Sequence, residues 1–81
     1  MMPSNYTAAQ QERDVARCKE ALVNLFDPDI GGCEPLTFAQ MRKVETLACY
    51  FAAVLAGALF RMEMAGTMTL SDTDDTYAWS E

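Results

Sequence analysis

The chain has 81 residues, 51% apolar and 22% charged, and its 12 acidic against 6 basic residues give a formal net charge of -6. These values describe a single globular domain over residues 1–81, too short for a second domain and too apolar for disorder. So acidic a surface repels phosphate backbones, which argues against direct nucleic-acid binding, and the lack of histidine removes the commonest general base and metal ligand.

Residues 1–7 form an N-terminal arm. Met1-Met2-Pro3-Ser4-Asn5-Tyr6 has no basic stretch leading into an apolar one, so no secretory signal is expected. Thr7-Ala8-Ala9-Gln10 fits a capping box, in which Thr and Gln side chains satisfy each other's free backbone N–H groups. Val15, Cys18, Leu22 and Leu25 then recur at helical spacing and predict helix one over 8–26. Asp27-Pro28-Asp29 ends it, because the residue before a proline is driven out of the helical region. A loop with Gly31-Gly32 and Pro35 fills 27–37.

Thr37-Phe38-Ala39-Gln40 is a second capping box, with Leu36 and Met41 placed as a hydrophobic staple. Met41, Val44, Ala48, Phe51, Leu55, Ala58 and Met62 continue the 3–4 alternation and predict helix two over 38–65, roughly 40 Å long, with Gly66 as its stop. Residues 66–81 are an acidic aromatic tail. Thr67 to Leu70 is β-permissive, Ser71 is placed to cap a short third helix, and an extended tail is the other reading.

The expected fold is therefore all-α: a hairpin of two long helices with a short C-terminal helix or tail. Helix two carries no charge between Glu45 and Arg61 and is apolar on every side, which requires burial or lipid. The run is short for a span, and Arg42, Lys43, Arg61 and Glu63 close its ends, so a membrane is not expected. A homodimer closing into a four-helix bundle would cover it, with Ala48, Phe51, Ala52, Leu55, Ala56 and Leu59 at the interface.

No constellation carries chemistry. Cys18, Cys33 and Cys49 are odd in number and widely spaced, which suits free thiols in the cytoplasm and supports neither a metal nor a redox site. Asp27 and Asp29 read as a helix-ending turn. Asp72-Thr73-Asp74-Asp75 lacks the glycine and glutamate of a calcium loop. Gly31-Gly32 lacks the lysine of a phosphate loop, and no Cys or Ser has a base placed beside it. The expectation is a non-enzymatic protein with no cofactor, no metal and no catalytic residue. Tyr77 and Trp79 are the candidate anchors for a protein partner, with Asp72, Asp74 and Asp75 favouring a basic surface on it; the equal alternative is that the two aromatics fold back over helix two.

A short acidic helical chain with unpaired cysteines and a large self-association face resembles small phage and mobile-element proteins, which commonly inhibit a host or defence protein by binding it. More narrowly, Lys43-Val44-Glu45, Cys49-Tyr50, and Ala53, Leu55 and Ala56 resemble the second helix of the phage helical-hairpin proteins that sequester cyclic-nucleotide immune signals. That resemblance covers about half of the chain, which departs from the family in its acidic tail. The first resemblance implies steric inhibition of a host protein. The second implies an oligomeric sponge, with Tyr6 and Lys19 as its stacking and phosphate contacts. A small membrane-associated protein is the third reading.

Overall fold

The computed structural model describes residues 6–80. Its first element meets the expected bounds: α1 runs Ala8–Phe26. The Thr7 box closes, with the Thr7 N–H donating to Gln10 Oε1 at 2.8 Å and the Gln10 N–H donating to Thr7 Oγ1 at 3.1 Å. Asp27 ends the helix. Its carbonyl accepts the N–H groups of Ile30, Gly31 and Gly32, and its Oδ1 accepts the Asp29 N–H at 2.9 Å. Asp27, through its backbone carbonyl and its carboxylate together, is therefore the hinge of a helix-ending turn. Val15, Cys18, Leu22 and Phe26 form the buried side of α1.

The all-α hairpin does not form. A two-residue strand, β1 (Leu36–Thr37), precedes α2 (Phe38–Met41), and the expected long helix is divided into α2, α3 (Glu45–Ala48) and α4 (Ala52–Met64). Thr37 still makes its capping box with Gln40. The breaks fall where Val44 and Phe51 take extended backbone, with ψ of 128° and 150°. Val44, Cys49, Tyr50 and Phe51 are weak helix formers, so a break there costs little local preference. The tertiary reason is larger. A straight helix apolar on all sides leaves most of its surface bare against α1. Broken twice, the same run turns Met41, Leu47, Val54, Leu55, Ala58, Leu59 and Met62 into one core with α1, each at most 1% exposed. The burial that called for a four-helix bundle is thus largely met within the protomer.

The tail is neither a helix nor an extended arm. Gly66, at φ +79°, closes α4 in a Schellman motif: the Thr67 N–H donates to the Met62 carbonyl and the Gly66 N–H to that of Glu63. A hairpin follows, β2 (Met68–Leu70) and β3 (Thr76–Trp79), and β3 also pairs with β1 to give an antiparallel sheet in the order β1-β3-β2. Met68 lies opposite Trp79, and Leu70 and Leu36 flank Tyr77. That face packs on the helices, with Met68 buried and Leu36, Tyr77 and Trp79 half-buried against the core. The protein is therefore mixed helix and sheet. No helix among the described residues is long and apolar enough to cross a membrane.

Gly57 lies in the middle of α4, facing Val15 of α1. A Cβ there would sit 3.6 Å from Val15 Cγ2, an ordinary contact. Gly57→Ala should therefore raise stability by about 0.5–1 kcal/mol, through the lower backbone entropy of alanine in a helix. A higher urea midpoint with an unchanged slope would be the signature.

Candidate functional site

The outward side of α4 is the most apolar free surface described. Phe60 is 62% exposed and Met64 75%, and they lie one helical turn apart. Ala53 and Ala56 are exposed on the same side, opposite the buried row of Leu55, Ala58 and Met62. Large side chains thus occupy the C-terminal half of the stripe and small ones the N-terminal half. The sequence offers Met64 among its methionines as a candidate for adaptable hydrophobic contact, but Phe60 was missed because the whole run reads as apolar. The i, i+4 pair placed opposite Ala58 and Met62 was the available signal.

Each flank of the stripe has its own electrostatics. Towards α1, Arg61 bonds to Glu12 in the one ion pair among the described residues. The bonded guanidinium holds the Glu12 carboxyl below its usual range. On the opposite flank of α4 lies Glu63. Partial burial raises the Tyr77 phenol, and the charges of Glu63 and Asp75 add to the shift. Residues 71–75 form the turn that joins β2 to β3. In that turn the Ser71 N–H donates to the Thr76 carbonyl at 2.8 Å, the Asp75 N–H donates to the Ser71 carbonyl at 3.0 Å, and Asp75 takes a φ of 54°. Asp72, Asp74 and Asp75 are all exposed.

The expected anchors lie elsewhere. Tyr77 and Trp79 are half-buried neighbours on β3 and pack against the core. Trp79 lines a shallow groove of about 260 Å³ with Phe26, Pro28, Cys33 and Pro35. A second hollow, about 220 Å³, lies between Ala21, Asn24 and Leu25 of α1 and Thr46 of α3. The residues expected at a dimer interface do not share one outward face. Leu55 and Leu59 are 1% exposed inside the protomer, Phe51 and Ala52 are half-buried, and Ala48 and Ala56 are exposed. Nor do Tyr6 and Lys19 converge. Tyr6 donates its hydroxyl to Asp14 and packs edge-on against Phe51, with ring centroids 5.4 Å apart. Asp14 and Lys19 are separated by roughly 140° around α1. Partial burial and the Asp14 bond push the Tyr6 phenol up to about 12.

All three cysteines are free. Burial pushes the Cys18 thiol up to about 11. Burial, then the charge of Glu34, raises that of Cys33, whose S–H donates to the Glu34 carbonyl at 3.3 Å. Both environments favour the protonated thiol over the nucleophilic thiolate. Cys49 is exposed at the end of α3. No group of three or more metal-binding side chains gathers among the described residues. The segments that resemble the sponge-type hairpins fall on separate elements: Lys43 in a turn, Glu45 in α3, Tyr50 in the next turn, and Ala53, Leu55 and Ala56 in α4. Comparisons with protein-family models, with curated proteins and with solved structures found no match to this chain.

Proposed function

We propose that the chain is a non-enzymatic cytoplasmic binding protein that inhibits a partner protein sterically, with the outward face of α4 as its contact surface. The observation that carries this reading is the exposure of Phe60 and Met64 on one side of a helix whose other side is fully buried. Two large apolar side chains held out by a rigid element meet water at a cost that contact with a partner removes. Phe60 has the character of an interface anchor, and Ala53 and Ala56 allow close approach beside it. The free thiols suit a reducing compartment.

The test is affinity capture from the producing cells, with native mass spectrometry of the eluted complex. The wild-type chain should carry a stoichiometric protein partner. Phe60→Ser should release it while circular dichroism stays unchanged, because Phe60 contributes little to the core. A partner retained at full occupancy by Phe60→Ser would refute the assignment of the surface.

A further inference from the structure

Strand β3 outlasts its partner β1 at one end. Leu36 pairs with Tyr77 and Thr37 with Thr76, and β1 goes no further, so Ala78 and Trp79 have no strand beside them on that side. The chain before Pro35 is drawn off instead, its Cys33 N–H donating to the Leu25 carbonyl of α1 at 3.0 Å. Between the two lies the groove of about 260 Å³ lined by Phe26, Pro28, Cys33, Pro35, Ala78 and Trp79.

The register shows which backbone groups face this side. Towards β2, the Ser71 N–H donates to the Thr76 carbonyl and the Ser80 N–H to that of Thr67. Antiparallel ladders alternate bonded and unbonded pairs. Ala78, opposite Thr69, therefore turns its N–H and C=O to β2 as well, and those of Tyr77 and Trp79 turn to the β1 side. Tyr77 meets Leu36 there. The N–H and C=O of Trp79 meet no backbone partner among the described residues. A donor and an acceptor thus stand unpaired beside an apolar groove, an arrangement that an added strand satisfies.

The loop on the opposite wall sets the charge. Asp27 lies between the lining residues Phe26 and Pro28, Asp29 follows Pro28, and Glu34 lies between Cys33 and Pro35. Asp29 and Glu34 are exposed. No lysine or arginine occurs in 20–41 or 62–81, the stretches that supply both walls.

We propose that this groove takes an extended, basic peptide segment of a partner protein, which exchanges backbone hydrogen bonds with Trp79 beyond the end of β1. One apolar side chain of the segment fills the groove, and a lysine or arginine next to it meets Asp29 and Glu34. The site is separate from the outward face of α4 and does not depend on its reading. An extended segment fits because a helix has already bonded its own backbone groups and leaves those of Trp79 unmet. A basic segment fits because the rim carboxylates have no cation of the chain near them in sequence. Only one residue of β3 is open in this way, so the contact is short and a Kd of about 1 mM is expected.

The experiment titrates the full chain with a capped synthetic pentapeptide, Thr-Lys-Val-Lys-Thr, and follows backbone amide and indole shifts. The peptide should move Cys33, Ala78 and Trp79 and leave Phe60 and Met64 in place. Methylating the valine nitrogen removes the N–H that donates to the Trp79 carbonyl and should weaken binding about tenfold. Serine at the central position should weaken it about tenfold as well. Glutamate in place of both lysines should weaken it at least about threefold, and Glu34→Lys, at an exposed position, should remove that preference.

Full affinity of the N-methyl peptide would overturn the strand pairing and with it the proposal. Equal binding of the lysine and glutamate peptides by the wild-type chain would overturn the choice of a basic segment. Shifts confined to Phe60 and Met64 would overturn the groove as the site and favour the α4 face. No shift at about 10 mM peptide would overturn the proposal outright. Concentration-dependent broadening of the Trp79 amide without peptide would seat a second copy on β3 and overturn the foreign partner.

Discussion

Phe26→Ala should cost about 3–5 kcal/mol, a large share of the ~4–12 kcal/mol that holds a domain of this size together. Phe26 is 1% exposed, at the end of α1 where helix, loop and sheet meet. It also forms part of the wall of the groove shared with Pro28, Cys33, Pro35 and Trp79. Truncation would join that groove to the core, and the two prolines are too stiff to collapse into the space. The loss should therefore lie towards the upper end of the range, with the thermal midpoint falling by at least about 12 °C. Trp79, the single tryptophan, lines the same groove and supplies a local probe. Its emission should move to the red in the folded variant as water enters. A midpoint within ~3 °C of wild type would show that Phe26 does not anchor the core.

Gly31→Ala is expected to be nearly as damaging, through backbone rather than core. A Cβ at Gly31 would stand 2.4 Å from the carbonyl oxygens of both Asn24 and Leu25. Neither oxygen is the end of a flexible side chain, so the turn itself would have to move. Moving it disturbs the bonds from Ile30, Gly31 and Gly32 to the Asp27 carbonyl, and the Cys33 N–H bond to Leu25. A loss of about 3 kcal/mol is expected. Gly32 supplies the control. It has φ +61°, but the nearest atom to an added Cβ is 3.8 Å away, so Gly32→Ala carries only the left-handed backbone penalty of about 1–2 kcal/mol. Urea denaturation of the pair separates collision from strain. Equal losses would mean that the approach of Gly31 to the α1 carbonyls does not matter.

How much of this was legible depended on whether the signal was local. The bounds of α1, both capping boxes and the stop at Gly66 follow from side chains acting on backbone within a few positions, and the chain states them directly. The breaks at Val44 and Phe51 are not stated that way. The apolar 3–4 alternation runs through both, and neither residue makes a side-chain cap. What breaks the helix is the need to bring Met41, Leu47 and Val54 to the same core, a demand of the whole fold. The strands escaped for another reason: at two to four residues they are too short to show alternation. The face of α4 was hidden by the composition of the run. With apolar residues on every side, sequence alone does not say whether Leu55 or Phe60 turns inward.

The order β1-β3-β2 has a consequence for the path of folding. The central strand is the last in sequence, and Leu36 waits some forty residues for its partner Tyr77. Before residues 76–79 join the sheet, β1 and β2 are two unsatisfied edges. The helices, whose contacts within each element are local, can form early. The closing of the sheet is the high-contact-order step and sets the pace of folding. Until β3 pairs, Met68 and Leu36 remain within reach of other chains, so the interval before β3 slots in is when this protein is most exposed to aggregation.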